Sequence, residues 1–337
     1  MSGLLRLSAS EPSKALAKEG GPVSLRISVT DRCDLGCCYC LPPGGVLRRP
    51  RSEILSFEEI ARFVRAVGGE FGLSKVRLTG GEPLARRGLA GLVAMLAGEG
   101  APDLALTTNG QRLAAMALPL RRAGLRRVNV SLDSLDPATY AAISGGGDVR
   151  AVLAGIDAAL AAGLVPVKLN AVVLRGVNDG GAVGLARFAL ERGCQVRFLE
   201  LMPIGPARAF HAERFVPAAE VRARLAEAFA LRALPHGPGQ SSREFLADDG
   251  AGRRGTVGFI APETERFCAG CRRLRLTSTG QVIACLARGQ GALVREFLRD
   301  DSDSCRRGLV RAVAAALGAK RVRAGFRTPR PMVAVGG

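Results

Sequence analysis

The chain has 337 residues, 47% of them hydrophobic, enough for about two domains with a substantial core. Gly and Pro together fall below the roughly 25–30% that marks low-complexity sequence, which excludes a disordered or fibrous chain. The formal charge of +18 calls for an anionic partner, yet no Trp, two Tyr and 4% aromatic residues leave few stacking surfaces for bases, so no nucleic acid is expected and a nucleotide-sized anion fits better.

No apolar run reaches the roughly 18 residues of a spanning helix, and Met1–Arg6 lack the apolar core of a signal peptide. A cytoplasmic protein with no membrane partner is expected. In a reducing compartment its nine cysteines point to metal or redox chemistry and not to disulfides. Only five of the 48 cationic residues are lysine (14, 18, 75, 168 and 320), a bias that codon usage alone explains.

Residues 1–21 read as an N-terminal extension. From 22 to 205, six β-branched segments near 23–29, 75–79, 104–107, 127–132, 165–173 and 195–200 predict strands. Helical patterns near 56–67, 87–97, 112–123, 150–162 and 181–192 lie between them, and Gly124, Gly163 and Gly193 follow three of these where helices end. This alternation predicts an α/β fold with a parallel sheet, and six units are too few for the eight of a closed barrel.

The strands also have two unlike faces. Arg26, Ser28 and Thr30 alternate with Leu25, Ile27 and Val29; Lys75, Arg77 and Thr79 with Val76 and Leu78; Asn129, Ser131 and Asp133 with Val128, Val130 and Leu132; Lys168 and Asn170 with Val167 and Leu169. Arg197 faces away from Val196 and Phe198. Helices covering the apolar face leave the polar face as a shared concavity, an incomplete (βα)6 barrel with a cation-rich lumen. Asp133 reads as a structural carboxylate paired with lumen arginine, with a role as proton acceptor as the alternative.

Pro206, Pro217, Pro235 and Pro238 and the Gly/Ser/Asp-rich stretch 237–255 mark a change of character. Residues 206–337 read as a C-terminal region covering the barrel's open side, with an excess of eleven positive charges between 266 and 330. A hairpin near 273–284, turned at Thr279-Gly280, would return Cys285 to Cys268 and Cys271, and 308–319 reads as an Ala-rich helix.

Six cysteines form two triplets, Cys33, Cys37 and Cys40 (C-x3-C-x2-C) and Cys268, Cys271 and Cys285 (C-x2-C-x13-C). Zinc sites usually take four ligands, and the only histidines, His211 and His236, are remote from both triplets. One composite four-cysteine zinc site stays open as an alternative. Three thiolates on a short loop otherwise suit a cubane iron–sulfur cluster whose fourth iron awaits a small-molecule ligand. Cys194 reads as a small buried hydrophobe and Cys38 as a shielded bystander; Cys305 has no assigned role.

Arg26-Ile-Ser-Val-Thr-Asp-Arg-Cys33 with Cys37, Tyr39 and Cys40, followed by Thr79-Gly-Gly-Glu-Pro83, resembles the radical S-adenosylmethionine (SAM) superfamily. Cys268-Ala-Gly-Cys271-Arg-Arg-Leu-Arg-Leu-Thr277, Cys285 and the terminal Gly336-Gly337 narrow the resemblance to the GTP 3′,8-cyclase family of molybdenum cofactor biosynthesis. Asp34 and Arg272 stand where that family usually has Asn.

The resemblance implies two [4Fe-4S] clusters, one on each triplet, and SAM bound near Tyr39, Gly80, Gly81, Ser131 and Met202. It implies GTP as substrate, held by Arg26, Lys75, Arg77, Thr107, Lys168, Arg197, Arg273, Leu274 and Arg275, with Gly336 and Gly337 entering the catalytic cavity. A 5′-deoxyadenosyl radical would take hydrogen from C3′ of GTP, and the C3′ radical would attack C8. A reducing electron donor, cyclic pyranopterin monophosphate synthase as recipient of the product, and a homodimer as one candidate assembly complete the expected partners. Two alternatives compete with this reading: another radical SAM enzyme with an auxiliary cluster, such as a peptide modifier, and a zinc-stabilised nucleic-acid-binding protein.

Overall fold

A computed structural model describes residues 21–335 except 43, 46–48, 238, 269, 288–290 and 322–327. Strands β1 (Val23–Ser28), β2 (Leu73–Thr79), β3 (Leu104–Thr108), β4 (Arg127–Ser131), β5 (Lys168–Val173) and β6 (Gln195–Glu200) pair in parallel in chain order. All six lie where the alternation of residues places them. The fifth starts at Lys168, because Pro166 has no N–H to give to a ladder.

Helices α1 (Phe57–Phe71), α2 (Leu89–Gly98), α3 (Leu113–Arg122), α4 (Pro137–Ser144), α5 (Val149–Ala161) and α6 (Ala182–Glu191) connect the strands. A reciprocal cap starts α1: the Glu59 N–H donates to Ser56 Oγ at 3.1 Å and the Ser56 N–H to Glu59 Oε2 at 2.6 Å. Its buried stripe, Ile60, Phe63, Val64 and Val67, joins the core formed by Leu25, Ile27, Val76, Leu78, Val128 and Val130, all wholly or almost wholly buried. Gly124, Gly163 and Gly193 follow α3, α5 and α6 at positive φ, as their positions predict. Helix α4 has no counterpart in the predicted pattern; Asp136 caps it by accepting from the Thr139 N–H at 2.8 Å.

The C-terminal region continues the sheet from both edges, and the barrel stays incomplete. Strand β9 (Arg254–Ile260) pairs in parallel with β6 and carries β8 (Arg243–Asp248) and β7 (Ala230–Ala233) antiparallel beyond it. On the other edge β10 (Arg273–Leu276) pairs in parallel with β1, followed by antiparallel β11 (Gln281–Ile283) and β12 (Gly291–Leu293). The result is one sheet of twelve strands among the described residues, ordered β12-β11-β10-β1-β2-β3-β4-β5-β6-β9-β8-β7. Its curl brings the segments preceding β8 and β10 together: a Cβ on Gly239 would lie 2.9 Å from the Gly270 carbonyl oxygen. The predicted hairpin is present, turned at Gly280 with φ of 82°.

Candidate active site

The polar faces of the strands line a cavity of about 560 Å³ near the strands' N-terminal ends. Six of the seven cations assigned to the lumen meet there: Arg26, Lys75, Arg77, Lys168, Arg197 and Arg273. The seventh, Arg275, lines an adjoining lobe of about 130 Å³, to which Arg26 and Arg273 also contribute. Arg127 and Arg272 join the larger cavity, making eight cations against one carboxylate, Glu244, among its described lining residues.

Electrostatics within this cluster are unfavourable without an anion. Burial and then the charge of Arg197 pull the Lys168 ammonium down to about 7, and Glu244, 4.0 Å away, offsets only part of this. Burial also lowers Arg26, after which Arg275, Arg77, Arg273 and Arg197 depress it further. Arg127 was not singled out from the sequence, although it continues the period-two row Asn129, Ser131, Asp133 by one step. Asp103 holds its guanidinium at 2.5 and 2.6 Å and pairs with Lys75 at 3.3 Å.

The first cysteine triplet follows β1 at the opposite, C-terminal end of the strands. Its loop is pinned to α4: the Gly36 N–H donates to the Ser144 carbonyl and the Cys38 N–H to the Ile143 carbonyl, both at 3.0 Å. Asp34 ties it to the segment after β3 by accepting from Asn109 Nδ2 at 2.8 Å and Arg112 Nε at 2.9 Å. The Gly80-Gly81 turn lies directly against the loop's start, with the Gly81 N–H donating to Thr30 O at 2.8 Å and the Glu82 N–H to Arg32 O at 2.7 Å. A Cβ on Gly81 would overlap the Arg32 carbonyl group.

Burial drives the Cys33 thiol up to about 11, and it raises Cys37 as well, with Asp133 and the neighbouring Cys40 and Cys33 adding to the effect. Thiols crowded and buried in this way become thiolates when a metal binds them. Among the described residues no three Cys, His, Asp or Glu side chains converge as ligands of a single ion. Cysteines that each bind a different iron of a cluster need no such convergence. The donor set and the tight glycine cradle beside it fit a cluster with a chelating small molecule.

The second triplet, Cys268, Cys271 and Cys285, lines the smaller lobe together with Met202, Phe267 and Lys320. Lys320 Nζ lies 3.7 Å from Cys271 Sγ. Burial works against ionisation of Cys271, but Lys320 and Arg273 outweigh it and hold this thiol below the usual range. Three thiols, one of them eased toward ionisation by neighbouring cations, also form a donor set suited to a cluster.

Two family models match the chain: the Radical SAM superfamily over residues 27–189 and Molybdenum Cofactor Synthesis C over 194–326. The GTP 3′,8-cyclase of Acidothermus cellulolyticus is 49% identical over 292 residues, covering 83% of this chain and 78% of that protein. That of Moorella thermoacetica is 42% identical over 320 residues, covering 93% and 97%. The chain belongs to the GTP 3′,8-cyclase family. Among solved structures, Streptococcus suis SuiB bound to S-adenosylmethionine has the same fold, with a TM-score of 0.61 over 90% of this chain and 69% of that one at 17% identity.

Membership of the cyclase family makes this a radical SAM enzyme of molybdenum cofactor biosynthesis, and the peptide-modifier and zinc readings are set aside. Several residue expectations need adjusting to the geometry. Asp133 is not paired with an arginine: it accepts from the Tyr39 hydroxyl at 2.7 Å and the Val172 N–H at 2.8 Å, which fixes the tyrosine beside the first triplet. Cys38 is exposed and not shielded; Cys194 is buried in the core as expected.

Leu274 is fully buried and lies between Arg273 and Arg275 on β10, so its side chain does not line the cavity. Met202 packs against the cluster of Ile204, Ile283, Leu286 and Ala287 and lines the lobe of the second triplet. Thr107 lies in register with Asn129, and Ser131 with Asn170, further along the same lumen. Gly336 and Gly337 lie outside the described residues. No described helix is long and apolar enough to cross a membrane.

Proposed function

We propose that the chain converts GTP to (8S)-3′,8-cyclo-7,8-dihydroguanosine 5′-triphosphate, using SAM and two [4Fe-4S] clusters. The observation that carries this reading is a cavity lined, among the described residues, by eight cations and one carboxylate, which shares Arg26, Ser241 and Arg273 with a three-cysteine lobe. A triphosphate is the ligand that such a charge balance calls for, and the absence of a GxxxxGK[ST] sequence leaves side chains, not a phosphate-binding loop, to bind it.

In this reading Cys33, Cys37 and Cys40 hold one cluster with an iron free for the amino and carboxylate groups of SAM. Gly80 and Gly81 let backbone approach that end of SAM, while Tyr39, Ser131 and Met202 border the rest. When bound, cluster and SAM together supply the 5′-deoxyadenosyl radical. Arg26, Lys75, Arg77, Lys168, Arg197, Arg273 and Arg275 neutralise and orient the triphosphate, and Thr107 and the Leu274 backbone help to place the nucleoside. Cys268, Cys271 and Cys285 hold a second cluster against the guanine. A reducing donor supplies electrons, and the product passes to cyclic pyranopterin monophosphate synthase; a homodimer in the cytoplasm is the proposed form.

Lys168→Ala should weaken GTP binding roughly ten- to a hundredfold, the loss of a charged hydrogen bond of ~1.5–3 kcal/mol, with both clusters retained. Normal binding by calorimetry would make Lys168 a packing residue only. Its ammonium, lowered to about 7, also gives GTP binding a pH dependence. A triphosphate favours the charged form, so above pH 7 binding takes up a proton and affinity falls as pH rises. Calorimetry at pH 8 in buffers of different ionisation enthalpy should show that uptake, reduced in Lys168→Ala.

Removing Gly336 and Gly337 should eliminate cyclised product while SAM cleavage and cluster content persist. Glycine lets a chain end thread a narrow cavity. Product formed at the intact rate by the shortened chain would show the tail to be a frayed end.

A further inference from the structure

Lys320 has no part in the reaction as described above, and its surroundings are unusual for a lysine. It sits in the turn Ala319–Arg321, directly after the helix Asp303–Gly318. That helix is anchored by buried Leu309, Ala312, Val313 and Ala316 and packs on α1 and β11, the strand that leads to Cys285. The half-buried ammonium reaches into the cysteine lobe, where Cys271 Sγ is its one hydrogen-bonding partner among the described residues. No described lining residue of that lobe is a carboxylate. A half-buried ammonium without a carboxylate is favoured when something anionic faces it, and thiolates meet that need.

Composition supports the same conclusion. Of five lysines, two lie outside the described residues; the other three, Lys75, Lys168 and Lys320, all line the two lobes of the candidate site. Elsewhere among the described residues the cations of Lys/Arg type are all arginines. Codon bias should replace lysine wherever a guanidinium serves equally well, and a compact ammonium with rotatable donors differs from a planar fork in a lobe of about 130 Å³.

We propose that Lys320 is a positioning residue of the reaction, donating an N–H···S hydrogen bond to Cys271 and setting the potential of the cluster held by Cys268, Cys271 and Cys285. This inference rests on the two-cluster reading given above. A fixed positive charge and a hydrogen bond to a ligand sulfur both stabilise the reduced, more negative cluster and so raise its reduction potential.

The test is an EPR-monitored redox titration of the fully loaded protein, with Cys268→Ala protein identifying the signal of the first cluster. Lys320→Gln should move the second cluster's midpoint to more negative potential, or release that cluster alone, and leave the first unchanged. Lys320→Arg keeps the charge but not the compact donor, and its midpoint should fall between those of the parent and Lys320→Gln. An unchanged midpoint in Lys320→Gln, or loss of both clusters in the Gln and Arg variants alike, would overturn the inference. A parent protein with about four irons per chain would overturn the two-cluster reading and this inference with it.

Discussion

Cys268→Ala is expected to abolish formation of cyclised product while SAM cleavage continues. Cys268, Cys271 and Cys285 line a lobe to which Cys33, Cys37 and Cys40 do not contribute; the loop of those three follows the C-terminal end of β1, whereas Cys268 and Cys271 precede β10, which pairs with β1. Removing one thiolate of three leaves a cluster with too few ligands to persist. The fold should survive, because Cys268 is exposed and contributes no core packing. Iron analysis after anaerobic loading should fall from about eight to about four per chain, with 5′-deoxyadenosine still released under reducing conditions. Retention of all the iron would show that this triplet does not hold a cluster.

Gly81→Ala should disable the other end of the site. The added methyl would overlap the Arg32 carbonyl and stand 2.9 Å from the Cys33 amide nitrogen, both backbone atoms that cannot rotate aside. Two backbone hydrogen bonds join this turn to the cysteine loop, Gly81 N–H to Thr30 O and Glu82 N–H to Arg32 O. Forcing them apart should cost about 1–3 kcal/mol of stability and displace Cys33 from its partners. Loss of SAM cleavage by more than about a hundredfold is expected, since misplacement of a reacting group by about 1 Å suffices for that. Gly91→Ala, where a Cβ meets nothing within 4 Å, serves as the control and should leave activity and iron content unchanged. Equal behaviour of the two variants would remove the close-approach argument.

Much of this architecture was legible because parallel strands with one polar face are rare enough to be informative. Alternation placed all six barrel strands and brought Arg26, Lys75, Arg77, Lys168, Arg197 and Arg273 to one cavity. Arg127 escaped because its row was read from Asn129 onward, although the same period includes it. Helix α4 escaped because its eight residues carry little periodicity, yet its carbonyls pin the first cysteine loop. The continuation of the sheet by β9 and β10 is a long-range pairing that no local pattern encodes. Asp133 was misassigned for a related reason: a lumen rich in arginine suggested an arginine partner, whereas Tyr39, 94 residues away in sequence, reaches it first. Lys320 carried one sequence signal, its being a lysine in an arginine-biased chain.

The central claim is that a SAM-derived radical takes hydrogen from the ribose of a GTP held by the lumen cations. Anaerobic protein loaded with iron and sulfide, then given SAM, a reductant and GTP deuterated at C3′, tests it most directly by mass spectrometry of the released 5′-deoxyadenosine. The account predicts deuterium in that product, together with a 3′,8-cyclised nucleotide. Release of unlabelled 5′-deoxyadenosine with GTP unchanged would contradict it.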